Sequence, residues 1–171
     1  MMGDRIVVVV GALIAFLLQV LLAPHIAIGF GFPNFMVAFC LAIAVARQDL
    51  TGPVLTFLMG LLYDLISGGP VGGMAFSLTL AGAVASSTFR RANNDTSFMA
   101  IAVLVGSVLL AELVYGLLFL LFGYAIGFGE ALVYRVLPCF IYDLVIALAF
   151  YFLLTRLLGQ NTPTSSEIRQ L

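Results

Sequence analysis

Six stretches of almost uninterrupted apolar sequence alternate with short segments rich in glycine, proline or charge. At about 1.5 Å per residue, a helix of roughly 20 apolar residues crosses the hydrocarbon core of a membrane. The pattern predicts six membrane spans, at residues 6–23, 34–46, 53–66, 71–89, 98–122 and 131–154. The second is short, so we expect it to tilt, to be shielded by its neighbours or to extend into the flanking loop.

The segments between the spans are short enough for one bundle. We predict a single transmembrane bundle over residues 1–158, with a polar turn at 47–49 and a more polar loop at 90–95. Residues 159–171 are rich in Asn, Thr, Pro and Ser, which predicts a disordered tail. The turn Gly69-Pro70-Val71-Gly72 has the chemistry of a tight connection between two spans.

The amino terminus resembles a signal peptide only in part. It carries Asp4 and Arg5 before an apolar run from Ile6 to Ala23. The apolar core of a signal peptide is about 7–15 residues long and is followed by a cleavage site of small residues. This run is longer and has no clear site of that kind, so we predict an uncleaved first span.

Composition supports a membrane protein. The chain has 171 residues, of which 63% are hydrophobic and 9% charged, whereas soluble domains carry roughly 25% charged residues. So few charges cannot cover a water-facing surface, and the expected fold class is an all-α integral membrane protein, a six-helix transmembrane bundle. The chain has no Lys and a net charge of −1, and it shows no basic patch for nucleic acid.

The arginines predict the orientation in the membrane. Basic residues accumulate in cytoplasmic loops. With the amino terminus inside, the cytoplasmic side holds six of the seven arginines: Arg5, Arg47, Arg90, Arg91, Arg156 and Arg169. Arg135 alone lies toward the outer side, inside the last span. Six spans with both termini in the cytoplasm follow from this bias.

The residue types that catalysis needs do not occur together. His25 is the single histidine, and we interpret it as a loop residue at the membrane interface. Cys40 and Cys139 lie in apolar runs and are interpreted as small apolar side chains. No Gly-x-Ser-x-Gly motif is present, and a phosphate-binding loop would require a Lys. We predict no enzyme, no metal site and no cofactor.

Charged residues inside the spans are the candidate functional positions. Gly52, Thr56, Gly60 and Asp64 recur every four residues and share one helix face. A carboxylate in lipid is costly, so Asp64 is expected to point into the bundle. The sixth span repeats the pattern with Arg135, Cys139, Asp143 and Ala147.

Depth along the helices predicts an interior network. Asp64, Glu112 and Arg135 all fall in the outer half of their spans, so we expect Arg135 to pair with one or both carboxylates. The alternatives are a buried ion pair that fixes helix packing, a site for a ligand, ion or proton, or an Arg135 that snorkels to the interface. Asp143 is placed at a different depth from Asp64, which disfavours a catalytic pair of aspartates.

A short internal similarity links the two halves. Leu62-Tyr63-Asp64-Leu65-Ile66 resembles Ile141-Tyr142-Asp143-Leu144-Val145, and the two segments lie on helices that run in opposite directions. Five matched positions in apolar sequence also arise by chance. A remnant of an inverted three-plus-three repeat is one interpretation.

Three features together resemble the MreD family, the small membrane subunit of the bacterial rod-shape machinery. They are Pro33-Asn34-Phe35 at the start of a short span, Gly60-Leu-Leu-Tyr-Asp64-Leu at the end of the next, and the Gly69-Pro70-Val71-Gly72 turn. The match is best over residues 30–90. The positions that carry it are Pro33, Asn34, Gly60, Asp64, Pro70 and Gly72.

The resemblance implies a non-enzymatic subunit of the elongation complex in the bacterial inner membrane. Family members associate with MreC, a single-span protein with a periplasmic domain, and through it with MreB, RodA and a transpeptidase penicillin-binding protein. They also resemble the substrate-binding membrane subunits of energy-coupling-factor vitamin transporters. Two functions follow as hypotheses: a scaffold that binds MreC and supports lateral peptidoglycan synthesis, or a small-molecule-binding transporter subunit. An outward-facing cavity lined by aromatic and polar side chains would favour the second.

Overall fold

The computed structural model describes residues 2–26, 32–92, 97–123, 127, 129 and 132–158, without the side chains of residues 2, 90–92, 97, 134 and 135. The predicted tail at 159–171 and residues 93–95 of the predicted loop at 90–95 therefore lie outside the described residues. The regular structure of the described residues is helical, with six α-helices: α1 Met2–Leu21, α2 Phe35–Ala46, α3 Pro53–Ser67, α4 Gly73–Ala92, α5 Ser97–Leu121 and α6 Leu137–Leu158. A 3₁₀ turn, Ala23–His25, follows α1, and a π-helical turn, Leu132–Val136, leads into α6.

These helices confirm the all-α prediction and the number of helices. Three of the described helical segments are long and apolar enough to cross a membrane, at Gly3–His25, Phe98–Leu121 and Leu137–Leu158. The helices α2, α3 and α4 contribute shorter apolar stretches. The bundle thus combines three apolar helical segments of full span length with three shorter apolar segments.

The short helix α2 is the centre of the bundle. Every residue from Phe35 to Val45 is buried, and α2 packs against each of the other five helices. A helix that is apolar on all sides must be surrounded by other apolar elements. Shielding by neighbours is therefore what allows the second apolar stretch to be so short.

The length of α2 places its first turn deep in the bundle. Its 12 residues span about 18 Å, well below the roughly 30 Å of a hydrocarbon core. At its carboxyl end, Arg47 donates a hydrogen bond to the carbonyl oxygen of Leu158, the last residue of α6. Because that end is fixed at one end of the bundle, the amino end of α2 lies in the interior.

The connection between α3 and α4 depends on glycine. Gly68 ends α3 in the left-handed conformation, with φ of 67°, and Gly72 precedes α4 with φ of 87°. Within the helices, a Cβ atom on Gly60 would lie 2.5 Å from Cα of Ala75, so the two backbones are in direct contact. This close approach brings the end of α3 against the start of α4.

Candidate functional site

The buried amino terminus of α2 is held by side chains from three helices or their flanking residues. Asn34 caps the helix by accepting a hydrogen bond from the backbone N–H of Val37 at 3.1 Å. Gln19 of α1 accepts from the N–H of Phe35 at 2.8 Å and donates to the carbonyl oxygen of Pro33 at 3.2 Å. The first N–H groups of a helix have no partner within it, so a buried helix start needs such acceptors.

Asp143 of α6 supplies a further acceptor at this point. Its Oδ1 accepts a hydrogen bond from the backbone N–H of Asn34 at 2.6 Å, and its side chain is fully buried. The partial positive charge at a helix amino terminus stabilises a nearby carboxylate. Asp143 therefore ties α6 to α2 in the centre of the bundle.

Glu112 of α5 is the second carboxyl group at this site. It is 4% exposed and lies within hydrogen-bonding reach of Asp143. No N–H group of the described residues donates to Oδ2 of Asp143, and Nδ2 of Asn34 also finds no acceptor among them. Two carboxyl groups and an amide thus converge where α2, α5 and α6 meet. We call Asn34, Glu112 and Asp143 the α2 cap cluster.

Asp64 has a similar structural role at the short connection between α3 and α4. Its two carboxylate oxygens accept hydrogen bonds from the N–H of Met74, at 3.0 and 3.1 Å, and from that of Ala75, at 3.1 Å. These N–H groups belong to the first turn of α4, so Asp64 caps the helix that follows its own. The residue is 2% exposed and faces the interior, as the four-residue spacing predicts.

Three of the four charged candidates have described side chains, and their contacts define two separate places. Asp64 binds the backbone of α4, whereas Glu112 contacts Asp143, which sequence-based depth had not placed beside it. The side chain of Arg135 lies outside the described residues, so its predicted pairing with a carboxylate stays a prediction. The carboxylates that meet come from α5 and α6 rather than from α3 and α5.

The aspartates in the similar segments around Tyr63-Asp64 and Tyr142-Asp143 thus have the same structural role. Each aspartate accepts from the backbone N–H groups at the start of another helix. However, Asp64 serves α4, the first helix of the second half, and Asp143 serves α2, the second helix of the first half. These two helices are not equivalent in a three-plus-three repeat, so the shared role does not require one.

A cavity of about 390 Å³ opens at the end of the bundle where α3 turns into α4. It is lined by four aromatic side chains, by neutral polar groups and by the glycine turn, and Gln19 connects it to the start of α2. Tyr63 and Tyr115 pack edge to face there, with ring centroids 6.1 Å apart. A Cβ atom on Gly69 would collide with the hydroxyl of Tyr115, so the turn lies directly against this wall.

A second depression of about 500 Å³ lies between the start of α3 and the second half of α4. Small and hydroxyl-bearing residues line it: Gln48, Thr51, Gly52, Pro53, Thr56, Gly82, Ala83, Ser86 and Ser87. The hydroxyls of Thr56 and Ser86 are bonded to carbonyl oxygens of their own helices. The surface is therefore a shallow groove without unpaired hydroxyl groups at these two positions. We call it the α3–α4 groove.

A charged cluster fixes the opposite end of α2. Arg47 is 8% exposed and forms ion pairs with Asp49, at 3.0 Å, and with Asp4 of α1, at 3.3 Å. The hydrogen bond with Asp49 raises the pKa of Arg47, and the bond from Arg47 lowers the pKa of Asp49 below its usual range. Together with the bond to Leu158, this cluster joins the start of α1 to the end of α6.

Sequence reasoning missed two of these residues. Gln19 lies within the predicted apolar first span without a role of its own, and Arg47 is predicted only as a cytoplasmic residue of a polar turn. An amide in an otherwise apolar helix is a detectable pattern, because it requires an internal partner. The partner itself cannot be found in the sequence, since Gln19 and Phe35 meet only when α1 and α2 pack.

The family-motif positions have structural roles in this arrangement. Asn34 caps α2, Pro33 presents its carbonyl oxygen to Gln19, and Gly60 permits the contact between α3 and α4. Gly72 takes the positive φ that the turn requires, and Pro70 is buried beside it. Within the described residues, no group of three or more His, Cys, Asp and Glu side chains is arranged to hold a metal ion.

Comparison with known proteins gives one family. The model of MreD, the rod shape-determining protein, matches residues 3–160. No curated protein and no solved structure matches the chain. The matched range covers every described helix except the first residue of α1, and it includes both capping aspartates. The chain therefore belongs to the rod shape-determining MreD family, whose members are non-enzymatic membrane proteins of cell-shape determination.

Proposed function

We propose that this protein is the multi-pass membrane subunit of the rod complex that binds MreC and supports lateral peptidoglycan synthesis. The observation that carries the proposal is the family match over nearly the whole chain. MreB, RodA and a transpeptidase penicillin-binding protein join the complex through MreC and not through direct contact with this chain. The protein acts as a scaffold and catalyses no reaction.

The α3–α4 groove is the surface proposed to receive the single span of MreC. Helices associate in membranes where small residues let backbones approach closely. Gly52 and Ala83 offer such an approach along the groove, whereas Gly82 lets α4 pack against Thr56 of α3. The hydrogen bonds of Thr56 and Ser86 within their own helices leave its surface compatible with an apolar partner.

The proposed orientation places Arg47 and both chain ends in the cytoplasm. The start of α1 and the end of α6 meet at Arg47, which supports an even number of crossings. The bias in arginine placement supports the same side. The cavity near Gly69 then opens toward the periplasm, and the α3–α4 groove lies in the cytoplasmic half of the membrane.

Co-purification with MreC tests the scaffold function. Ala83 is exposed and lines the α3–α4 groove, whereas Ala102 is exposed on α5 away from it. Ala83→Leu fills the groove and is expected to reduce the MreC recovered in detergent by at least about tenfold, a loss of roughly 1.4 kcal/mol. Ala102→Leu adds the same mass and is expected to leave recovery unchanged.

The result against the proposed surface is equal recovery of MreC with both leucine variants. If wild-type protein recovers no MreC at all, the proposed partner is wrong. Because the two alanines have the same size and both are exposed, a difference between their variants reflects the groove and not a general effect of added bulk.

A second function is favoured by the cavity near Gly69. Its volume of about 390 Å³ lies within the roughly 300–1,000 Å³ of small-molecule sites, and aromatic and neutral polar side chains line it. We propose as the alternative a substrate-binding membrane subunit of a small-molecule transporter. A small molecule retained through purification and identified by mass spectrometry, together with no binding of MreC, would support this alternative over the scaffold.

A further inference from the structure

We infer that Glu112 and Asp143 form a proton-binding site, in which the two carboxyl groups share one proton at the amino terminus of α2. The inference concerns the α2 cap cluster. It does not depend on whether MreC binding or small-molecule binding is the function of the protein. It assigns proton binding to two buried carboxyl groups that neither MreC binding nor small-molecule binding uses.

The environment of Asp143 stabilises a single negative charge. Its side chain is fully buried, and its Oδ1 accepts the backbone N–H of Asn34 at 2.6 Å. One negative charge is stabilised there by that bond and by the dipole of α2. The helix terminus carries roughly half an elementary positive charge, so it offsets part of the charge of one carboxylate and cannot offset two.

Glu112 is in contact with Asp143. The two carboxyl groups lie within hydrogen-bonding reach, and Glu112 is itself 4% exposed. Two ionised carboxylates at such separation in a buried site repel each other strongly, so one of them retains its proton. A protonated carboxyl group donates one hydrogen bond, and Oδ2 of Asp143 is the oxygen that receives no N–H donor. A proton between the two groups supplies that bond.

The polar groups near the pair come from α1, α2 and α6. From α2, Asn34 faces Asp143, and from α1, Gln19 uses its oxygen on Phe35 N–H and its nitrogen on Pro33. On α6, Cys139 precedes Asp143 by about one turn. Arg135 lies a further turn away with its side chain outside the described residues. The experiment therefore includes a variant that removes the charge of Arg135.

Infrared spectroscopy of the purified protein measures the proton directly. A protonated carboxyl group has a carbonyl stretching band that carboxylates lack and that shifts in deuterated water. At neutral pH the wild-type protein is expected to show this band. Glu112→Gln leaves Asp143 as a lone carboxylate on the helix terminus, and Asp143→Asn leaves Glu112 beside an amide that donates to it. Either isosteric variant is expected to abolish the band.

The two variants together separate a shared proton from an isolated acid. If Glu112 were protonated independently of Asp143, the band would persist in Asp143→Asn, and the inference would be wrong. Asp64→Asn is the matched control, because Asp64 binds three backbone hydrogen bonds without a second carboxyl group as partner in any of them. The band assigned to the pair is expected to remain in that variant.

Arg135→Gln decides whether a cation replaces the proton. The shared proton predicts the same band in Arg135→Gln as in the wild type. A band that is absent from the wild type and appears only after this substitution would mean that Arg135 neutralises the pair, and would overturn the inference. Helical circular dichroism confirms for each variant that the bundle is folded before the spectra are compared.

Discussion

Two aspartates in this bundle cap helices other than their own, and they do so in different surroundings. Asp64 receives three hydrogen bonds from the first turn of α4, close to the glycine turn at the end of the bundle. Asp143 receives one from Asn34, in the interior, and lies beside Glu112. The first carboxylate is stabilised by two backbone N–H donors. The second has one such donor, so its stability depends on whether the neighbouring Glu112 is charged.

The difference follows from where each helix begins. The helix α4 starts next to a turn in which Ser67 and Gly68 are exposed, so water can reach its first residues once a cap is removed. The helix α2 starts among buried residues of α1, α5 and α6. An unpaired N–H group therefore costs more at the start of α2 than at the start of α4.

The largest expected effect in this comparison comes from Asp143→Ala. It leaves the N–H of Asn34 buried without an acceptor and removes the partner of Glu112, so we expect a loss of about 3 kcal/mol of unfolding free energy. Thermal unfolding in detergent measures the change, and Asp143→Asn, which keeps an acceptor oxygen, is expected to lose less. An Asp143→Ala protein as stable as wild type would show that the interior cap carries no stability.

Gly60→Ala tests whether the Asp64 cap depends on the contact between α3 and α4. The added Cβ would lie 2.5 Å from Cα of Ala75, and forced separation of the two backbones is expected to cost about 2 kcal/mol. Gly106→Ala is the control, because nothing lies within 4 Å of a Cβ there. It is expected to be neutral or to stabilise by up to about 1 kcal/mol. Equal melting temperatures for the two variants would contradict the close contact.

Asp64→Ala is expected to cost less than Asp143→Ala, although Asp64 makes more hydrogen bonds. It removes a helix cap near an exposed turn, which is worth about 1 to 2 kcal/mol. The same thermal unfolding experiment compares the two alanine variants directly. The opposite order of stabilities would mean that the number of hydrogen bonds matters more than the depth of the site.

The smallest effect belongs to the Arg47 cluster at the far end of α2. The bond from Arg47 lowers the pKa of Asp49. The contribution of this ion pair to the free energy of unfolding is therefore fully present above the unfolded pKa of about 3.9. It is lost as the pH falls through the lower folded value. The Asp49 side chain is 49% exposed, which limits the contribution to less than about 1 kcal/mol.

Melting temperatures of wild type and Asp49→Asn measure this contribution as the pH is lowered. The difference between the two proteins is expected to be present at neutral pH and to shrink in acid. Gln48→Asn changes the same turn without removing a titratable group, and its difference from wild type is expected to be independent of pH. A difference for Asp49→Asn that grows in acid would have the wrong sign for an ion pair with Arg47.

The sequence determined the number of helices, the inward direction of Asp64 and the family. Apolar runs of span length and a four-residue spacing follow from helix geometry alone, so they are visible without a structure. The glycines of the α3–α4 turn were visible for the same local reason, because a positive φ disfavours other residues. The family motif around Asn34, Gly60 and Asp64 required only residue identity.

The tertiary structure alone decided which polar groups meet. Asp143 and Asn34 are 109 positions apart in the chain, and neither their spacing nor their hydrophobic surroundings indicates that the start of α2 lies against α6. The short central helix α2 begins inside the bundle rather than at its surface, and the sequence alone does not indicate which side chains surround that buried start. Periodicity specifies the face of a helix, but the partner of that face depends on how all six helices pack.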